Sequence, residues 1–173
     1  MKSKAKVVVI GGGAVGVSTL YHLAKKGWSD VVLIERKELT SGSTWHAAGL
    51  LPLFNMSYSV GQLHRCAVQL YKSLEKETGK KVGFSVVSNI RLAQTNDRMD
   101  EYHQYAGVAK TIGVKVKFLK PEEVKEIWPL CNIEGLVGAI QHPEDGYIQP
   151  ADLTQALATG ARNFGAEIYR NTT

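Results

Sequence analysis

The segment "KVVVIGGGAVGVSTLYHLAKKG" constrains this chain more than any other. A short β-branched run stops at three glycines, and Val15, Leu20, Leu23 and Ala24 then recur at helical spacing. This predicts a buried strand over residues 5–10 and a helix over 14–26, with Gly27 ending it as a C-cap would. "DVVLIER" follows as a second buried strand over 31–34. Strand, helix and strand within about thirty residues imply a right-handed crossover and a parallel sheet.

Gly11, Gly13 and Gly16 stand in the order G-x-G-x-x-G between that strand and that helix. The first permits a sharp turn, the second lets backbone approach a pyrophosphate, and the third lets helix and strand pack closely. Unpaired amides at Ala14 and Val15, at the positive end of the helix dipole, would face the phosphates. Glu35 closes the second strand 19 residues after Gly16, where a carboxylate accepts hydrogen bonds from both ribose hydroxyls. The acid disfavours a 2′-phosphate, and therefore NADP. These glycines leave NAD and FAD both open.

Composition narrows the class. At 173 residues, 44% hydrophobic and 21% charged, the chain has the size and balance of one globular domain, or one domain plus part of another. Its net charge of +5 is scattered apart from Lys2, Lys4 and Lys6, whereas nucleic-acid binding calls for a clustered stripe. No apolar run approaches the ~18 residues of a membrane span, and glycines interrupt the one after Lys6 before it could serve as a secretory signal. Neither nucleic acid nor membrane is an expected partner. Cys66 and Cys131 lie far apart, which suits reduced, non-catalytic thiols in the cytoplasm, or in the mitochondrial matrix of a eukaryote although no transit peptide is seen. His22, His64, His103 and His142 show no ligand spacing, so no metal is expected.

After a helix predicted over 60–78 the texture changes. "FSVVSNIRLAQT", "VKVKFLK" and "GLVGAIQHP" are strand-like, separated by the helical "NDRMDEYHQYAGVAKTIG" and "PEEVKEIWP". Such hairpin-compatible pieces suit a separate antiparallel sheet. A helix over 150–163 and a strand over 166–170 then return to the first style, with Pro150 at the helix start and Gly165 past its end. The expected division is 1–80 for the nucleotide-binding unit with its cofactor-contacting loop and helix, 81–148 for part of a substrate-binding insertion, and 149–173 for re-entry into the first domain.

One stretch fits no hydrophobic period: "SGSTWHAAGL", residues 41–50. Together with "VVVIGGGAVGVSTLYHLAKKG", "VVLIER", "EKETG", "IRLA" and "DGYIQP", it resembles the N-terminal flavin domain of the dimethylglycine and sarcosine dehydrogenases. These belong to the D-amino-acid-oxidase-like FAD superfamily. The resemblance implies a Rossmann-like, doubly wound α/β FAD domain interrupted by part of an antiparallel substrate-binding region. By the same resemblance Glu35 and Arg36 hold the adenosine end, and Ala14 and Val15 meet the pyrophosphate. Gly42, Ser43, Thr44, Trp45, His46, Ala47, Ala48, Gly49 and Leu50 wrap the cofactor towards its ring, with His46 bonded covalently to the flavin 8α carbon. A neutral imidazole is a competent nucleophile for that bond.

The activity implied is oxidative N-demethylation of dimethylglycine or sarcosine, with hydride passing to flavin N5 and electrons leaving to an electron-transfer flavoprotein or oxygen. Tetrahydrofolate enters only through the longer chains of the family, of which this sequence looks like an N-terminal piece. Its catalytic residues would then lie further along the chain. Two other readings stay open: a different amine or amino-acid oxidase of the superfamily, and a non-catalytic FAD-binding assembly protein.

Overall fold

The structure, a computed structural model, describes residues 2–173. The chain divides into two compact units, one made of Met1–Gly49, Gln69–Phe84 and Ile148–Thr173, the other of Leu50–Val68 and Ser85–Tyr147.

In the first unit, β1 (Val7–Ile10) leads through the glycine turn into α1 (Ala14–Lys25) and back into β2 (Val31–Ile34). β1 begins two residues later than the sequence predicts; the Lys6 amide donates to the Asp30 carbonyl and to Asp30 Oδ2, outside the paired register. A single turn of 3-10 helix at Ser43–His46 gives order to the stretch in which no period was legible. After β3 (Leu50–Leu51), α2 (Tyr58–Thr78) is shared, with 58–68 grouping with the second unit and 69–78 with the first. The sequence predicts a single unit over 1–80, whereas 50–68 groups with the second unit.

The second unit continues with β4 (Ser85–Val86), β5 (Asn89–Ala93), α3 (Asn96–Ile112), β6 (Lys117–Leu119), α4 (Pro121–Ile127), β7 (Gly138–His142) and β8 (Gly146–Tyr147). They form two antiparallel sheets, β3-β8-β4 and β5-β7-β6. The chain then re-enters the first unit as α5 (Pro150–Asn163) and β9 (Glu167–Tyr169).

β1, β2 and β9 make one parallel sheet in the order β1-β2-β9, as the βαβ pattern requires. Helices α1 and α5 pack together, burying Val17, Leu20, Tyr21 and Ala24 of α1 and Leu153, Ala156, Leu157 and Ala161 of α5. Each large aliphatic side chain so enclosed contributes roughly 1.5–3 kcal/mol relative to exposure. This layer fixes the start of α1 against the ends of β1 and β2, where the site forms.

Candidate functional site

Gly11 turns the chain out of β1 at φ +105°, a backbone region that favours glycine because it lacks a Cβ. Gly16, one turn into α1, lies so near that a Cβ there would stand 2.0 Å from the Gly11 carbonyl oxygen. Gly12, which the motif leaves unspecified, is buried. A Cβ on it would meet Leu39 Cδ2 at 2.6 Å and Glu35 Cγ at 3.0 Å. The motif therefore holds three steric constraints, and the sequence signal named only two of these residues. A run of three glycines was the clue to the third.

The Gly12 amide donates to Glu35 Oε2 at 2.7 Å, and the Lys37 amide donates to Oε1 at 2.8 Å. The first bond, then the second, hold the Glu35 carboxyl below its ordinary range, so it is ionised at neutral pH. Each oxygen keeps a lone pair beyond the one engaged, enough to accept from a ribose hydroxyl. At the helix start the Ala14 amide donates to Thr44 Oγ1 at 2.9 Å, which draws the 41–50 stretch onto the dipole end of α1.

Thr40 sets the direction of that stretch, and nothing in the sequence marked it. It is buried, with φ +73°, a rare conformation for a β-branched residue. Its amide donates to the Gly12 carbonyl at 3.0 Å, and its own carbonyl accepts from the Trp45 amide at 3.1 Å.

These contacts enclose a groove of about 580 Å³ above the glycine turn. Gly11, Gly13, Ala14, Val15, Gly16, Glu35, Arg36, Gly42, Ser43 and Thr44 all line it, joined by Gly12, Lys37 and Ser41. Trp45 and Ala47 line a second groove of about 360 Å³ with Thr44 and residues 149–152 at the start of α5. His46, Ala48, Gly49 and Leu50 line neither groove. The His46 side chain is exposed at the end of the 3-10 turn. Gly49, at φ +76°, closes against Ile148: its carbonyl accepts from the Ile148 amide at 2.8 Å, and a Cβ on it would stand 2.0 Å from the Ile148 carbonyl oxygen. Leu50 opens β3.

The first groove fits the adenosine diphosphate half of a dinucleotide. An ionised acid terminates β2, helix-start amides face the groove, and Arg36 and Lys37 supply positive charge on its wall. Among the described residues no group of three or more His, Cys, Asp or Glu is placed to hold a metal, and no helix is long and apolar enough to cross a membrane. Cys66 is exposed and Cys131 buried, and both are free thiols.

Residues 6–173 match the family model described as "DAO: FAD dependent oxidoreductase". The chain is 46% identical over 164 residues to mitochondrial dimethylglycine dehydrogenase of Rattus norvegicus, covering 95% of this chain and 19% of the relative. It is 41% identical over 172 residues to human mitochondrial sarcosine dehydrogenase, covering 99% of this chain and again 19% of the relative. The chain thus spans about a fifth of the length of these relatives. Among solved structures, L-proline dehydrogenase from P. horikoshii superposes with a TM-score of 0.92 at 30% identity, over 100% of this chain and 46% of that one.

Proposed function

The chain belongs to the FAD-dependent oxidoreductase family matched over residues 6–173, and from that premise we propose that the protein oxidises a small N-methylated glycine, dimethylglycine or sarcosine. The 46% identity to dimethylglycine dehydrogenase carries this reading. FAD, when bound, supplies an acceptor for hydride at N5. The chain's own part is to hold it. Glu35 accepts from the ribose hydroxyls, and the amides at the start of α1 bind the pyrophosphate. Thr44 hands its Ala14 contact to a phosphate oxygen, and Ser43, Trp45, Ala47 and Ala48 line the approach to the ring. His46 anchors the flavin covalently. Its exposure leaves the imidazole accessible to the cofactor, which is compatible with that role.

The substrate class has a physical test. Oxidation at the carbon beside nitrogen needs the nitrogen lone pair to stabilise the iminium product, and betaine has none. Anaerobic mixing of the full-length holoprotein with dimethylglycine, sarcosine and betaine in turn is expected to bleach the flavin with one of the first two and not with betaine. A flavin that stays yellow with all three sinks the proposal and favours a non-catalytic FAD-binding protein. After acid precipitation the colour is expected in the pellet, and His46→Ala is expected to move it to the supernatant. Yellow supernatant from the unmutated protein would exclude the covalent anchor alone.

A further inference from the structure

Strand β5 sends its side chains to two unlike faces. Ile90 and Leu92 pack on an apolar cluster of Leu119, Val124, Cys131 and Ala139. Asn89 and Arg91 take the opposite face, where their cross-strand partners on β7 are His142 and Ile140. There the Arg91 guanidinium carbon lies 4.0 Å from the centroid of the Phe54 ring. That ring in turn packs against Tyr105 at 4.1 Å and stands edge-on to His142 at 5.9 Å. Tyr105 and His142 are wholly buried. The backbone beside Phe54 is tied at both ends: the Leu53 amide donates to Asp145 Oδ1 at 3.1 Å, and the Tyr105 hydroxyl donates to the Leu53 carbonyl at 3.2 Å. Arg91 is therefore mounted on a platform that cannot easily turn away.

It also lacks a partner. Arg98 and Arg170 pair with Glu101 and Glu38, but among the described residues no carboxylate lies within ion-pairing distance of Arg91. Its Nε is sealed and makes no hydrogen bond, while the two terminal nitrogens are not among the sealed atoms and the residue as a whole is half-buried. Asp145 shares this layer with Oδ1 accepting from the Leu53 amide and Oδ2 buried without a hydrogen bond, but it stands outside ion-pairing distance of Arg91. A held, partly desolvated guanidinium with a free fork matches a carboxylate in charge and in bidentate geometry.

We propose that Arg91 is a carboxylate-binding residue, its guanidinium fork taking the carboxylate of a small organic acid against the Phe54 platform. That this acid is the amine substrate rests on the proposed function; the site itself does not. Acetate serves as the probe. Calorimetric titration of the full-length holoprotein is expected to show acetate binding that Arg91→Met weakens about tenfold or more. Arg91→Lys, which keeps charge but loses the fork, is expected to weaken it by roughly threefold. No acetate binding to the unmutated protein overturns the proposal, as does unchanged affinity in either folded variant. A KM for the amine that rises in step with the acetate dissociation constant, at retained kcat, identifies the acid as the substrate. Lost acetate binding at unchanged KM identifies a separate acid. Should no N-methylated glycine be oxidised at all, the function fails while the acetate titration still decides the role of Arg91.

Discussion

Two buried groups in the second unit oppose one another as pH changes, and removing one should unmask the other. His142 is wholly buried with both ring nitrogens unpartnered; burial first, then the Arg91 charge, lower its pKa from 6.5 to about 4. An unfolded chain takes up the His142 proton as pH falls through 6.5, the folded chain only near 4. Acidification between those values therefore removes stability, by about 2–3 kcal/mol on going from pH 7 to pH 4. Asp145 does the reverse. Burial outweighs the Leu53 amide and the Arg91 charge and raises its carboxyl from 3.8 to about 6. The folded chain protonates it first, so acidification through 6 returns stability, again by about 2–3 kcal/mol. Of the other titratable groups on this face, Tyr105, pushed up to about 12 by burial, stays neutral across the range. In the unmutated protein the two effects largely cancel. Asp145→Asn keeps an acceptor for the Leu53 amide but removes the carboxyl titration. Urea unfolding followed by circular dichroism at pH 7, 6, 5 and 4 is expected to show this variant losing about 2–3 kcal/mol more than the unmutated protein by pH 4. His142→Leu is expected to lose less than the unmutated protein by a similar amount. Other carboxylates titrate alike in all three proteins and drop out of the difference. Parallel pH profiles for Asp145→Asn and the unmutated protein would refute the opposition.

Gly16→Ala places a methyl 2.0 Å from the Gly11 carbonyl oxygen, so α1 must part from the turn that faces the phosphates. In a His46→Ala background a lower unfolding midpoint and flavin loss during desalting are expected; retention equal to that of His46→Ala alone would show that the turn adapts. Glu35→Ala strips the acceptor from the Gly12 and Lys37 amides as well as from the ribose. Titrating FAD into the apoprotein in a His46→Ala background is expected to show an affinity loss of about 1–3 kcal/mol, and an unchanged dissociation constant would remove Glu35 from the adenosine site.

Periodic segments were legible where local and tertiary preferences agree. The strand over 31–34 and the helix over 150–163 appear with the bounds read from the sequence, because β-branched burial and a Pro150 start are local signals. The two-residue strands Leu50–Leu51 and Gly146–Tyr147 were invisible, since no period can be expressed in two residues and their pairing partners are remote in sequence. "FSVVSNIRLAQT" looked continuous but breaks at Ser88, whose φ of +72° carries the chain from one sheet to another. The Val87 and Ser88 amides both donate to the Asp145 carbonyl, more than fifty residues away, and no neighbouring residue signals that bond.

The site divides in the same way. Gly11, Gly13, Gly16 and Glu35 were readable because their spacing is itself the constraint, but the path of 41–50 was not. That path leaves through Thr40 in a conformation that local propensity disfavours by about 1–3 kcal/mol. The cost is overcome by bonds at both ends of the residue, and one of those ends at Gly12. Gly12 accepts the Thr40 amide through its carbonyl and gives its own amide to Glu35. One residue thereby ties the acid at the end of β2 to the stretch that carries Thr44 and His46. A side chain at Gly12 would strike Leu39 and Glu35 together, so a change there would disturb both ends of the groove at once. The residue the motif leaves free is thus the one through which the two halves of the site are joined.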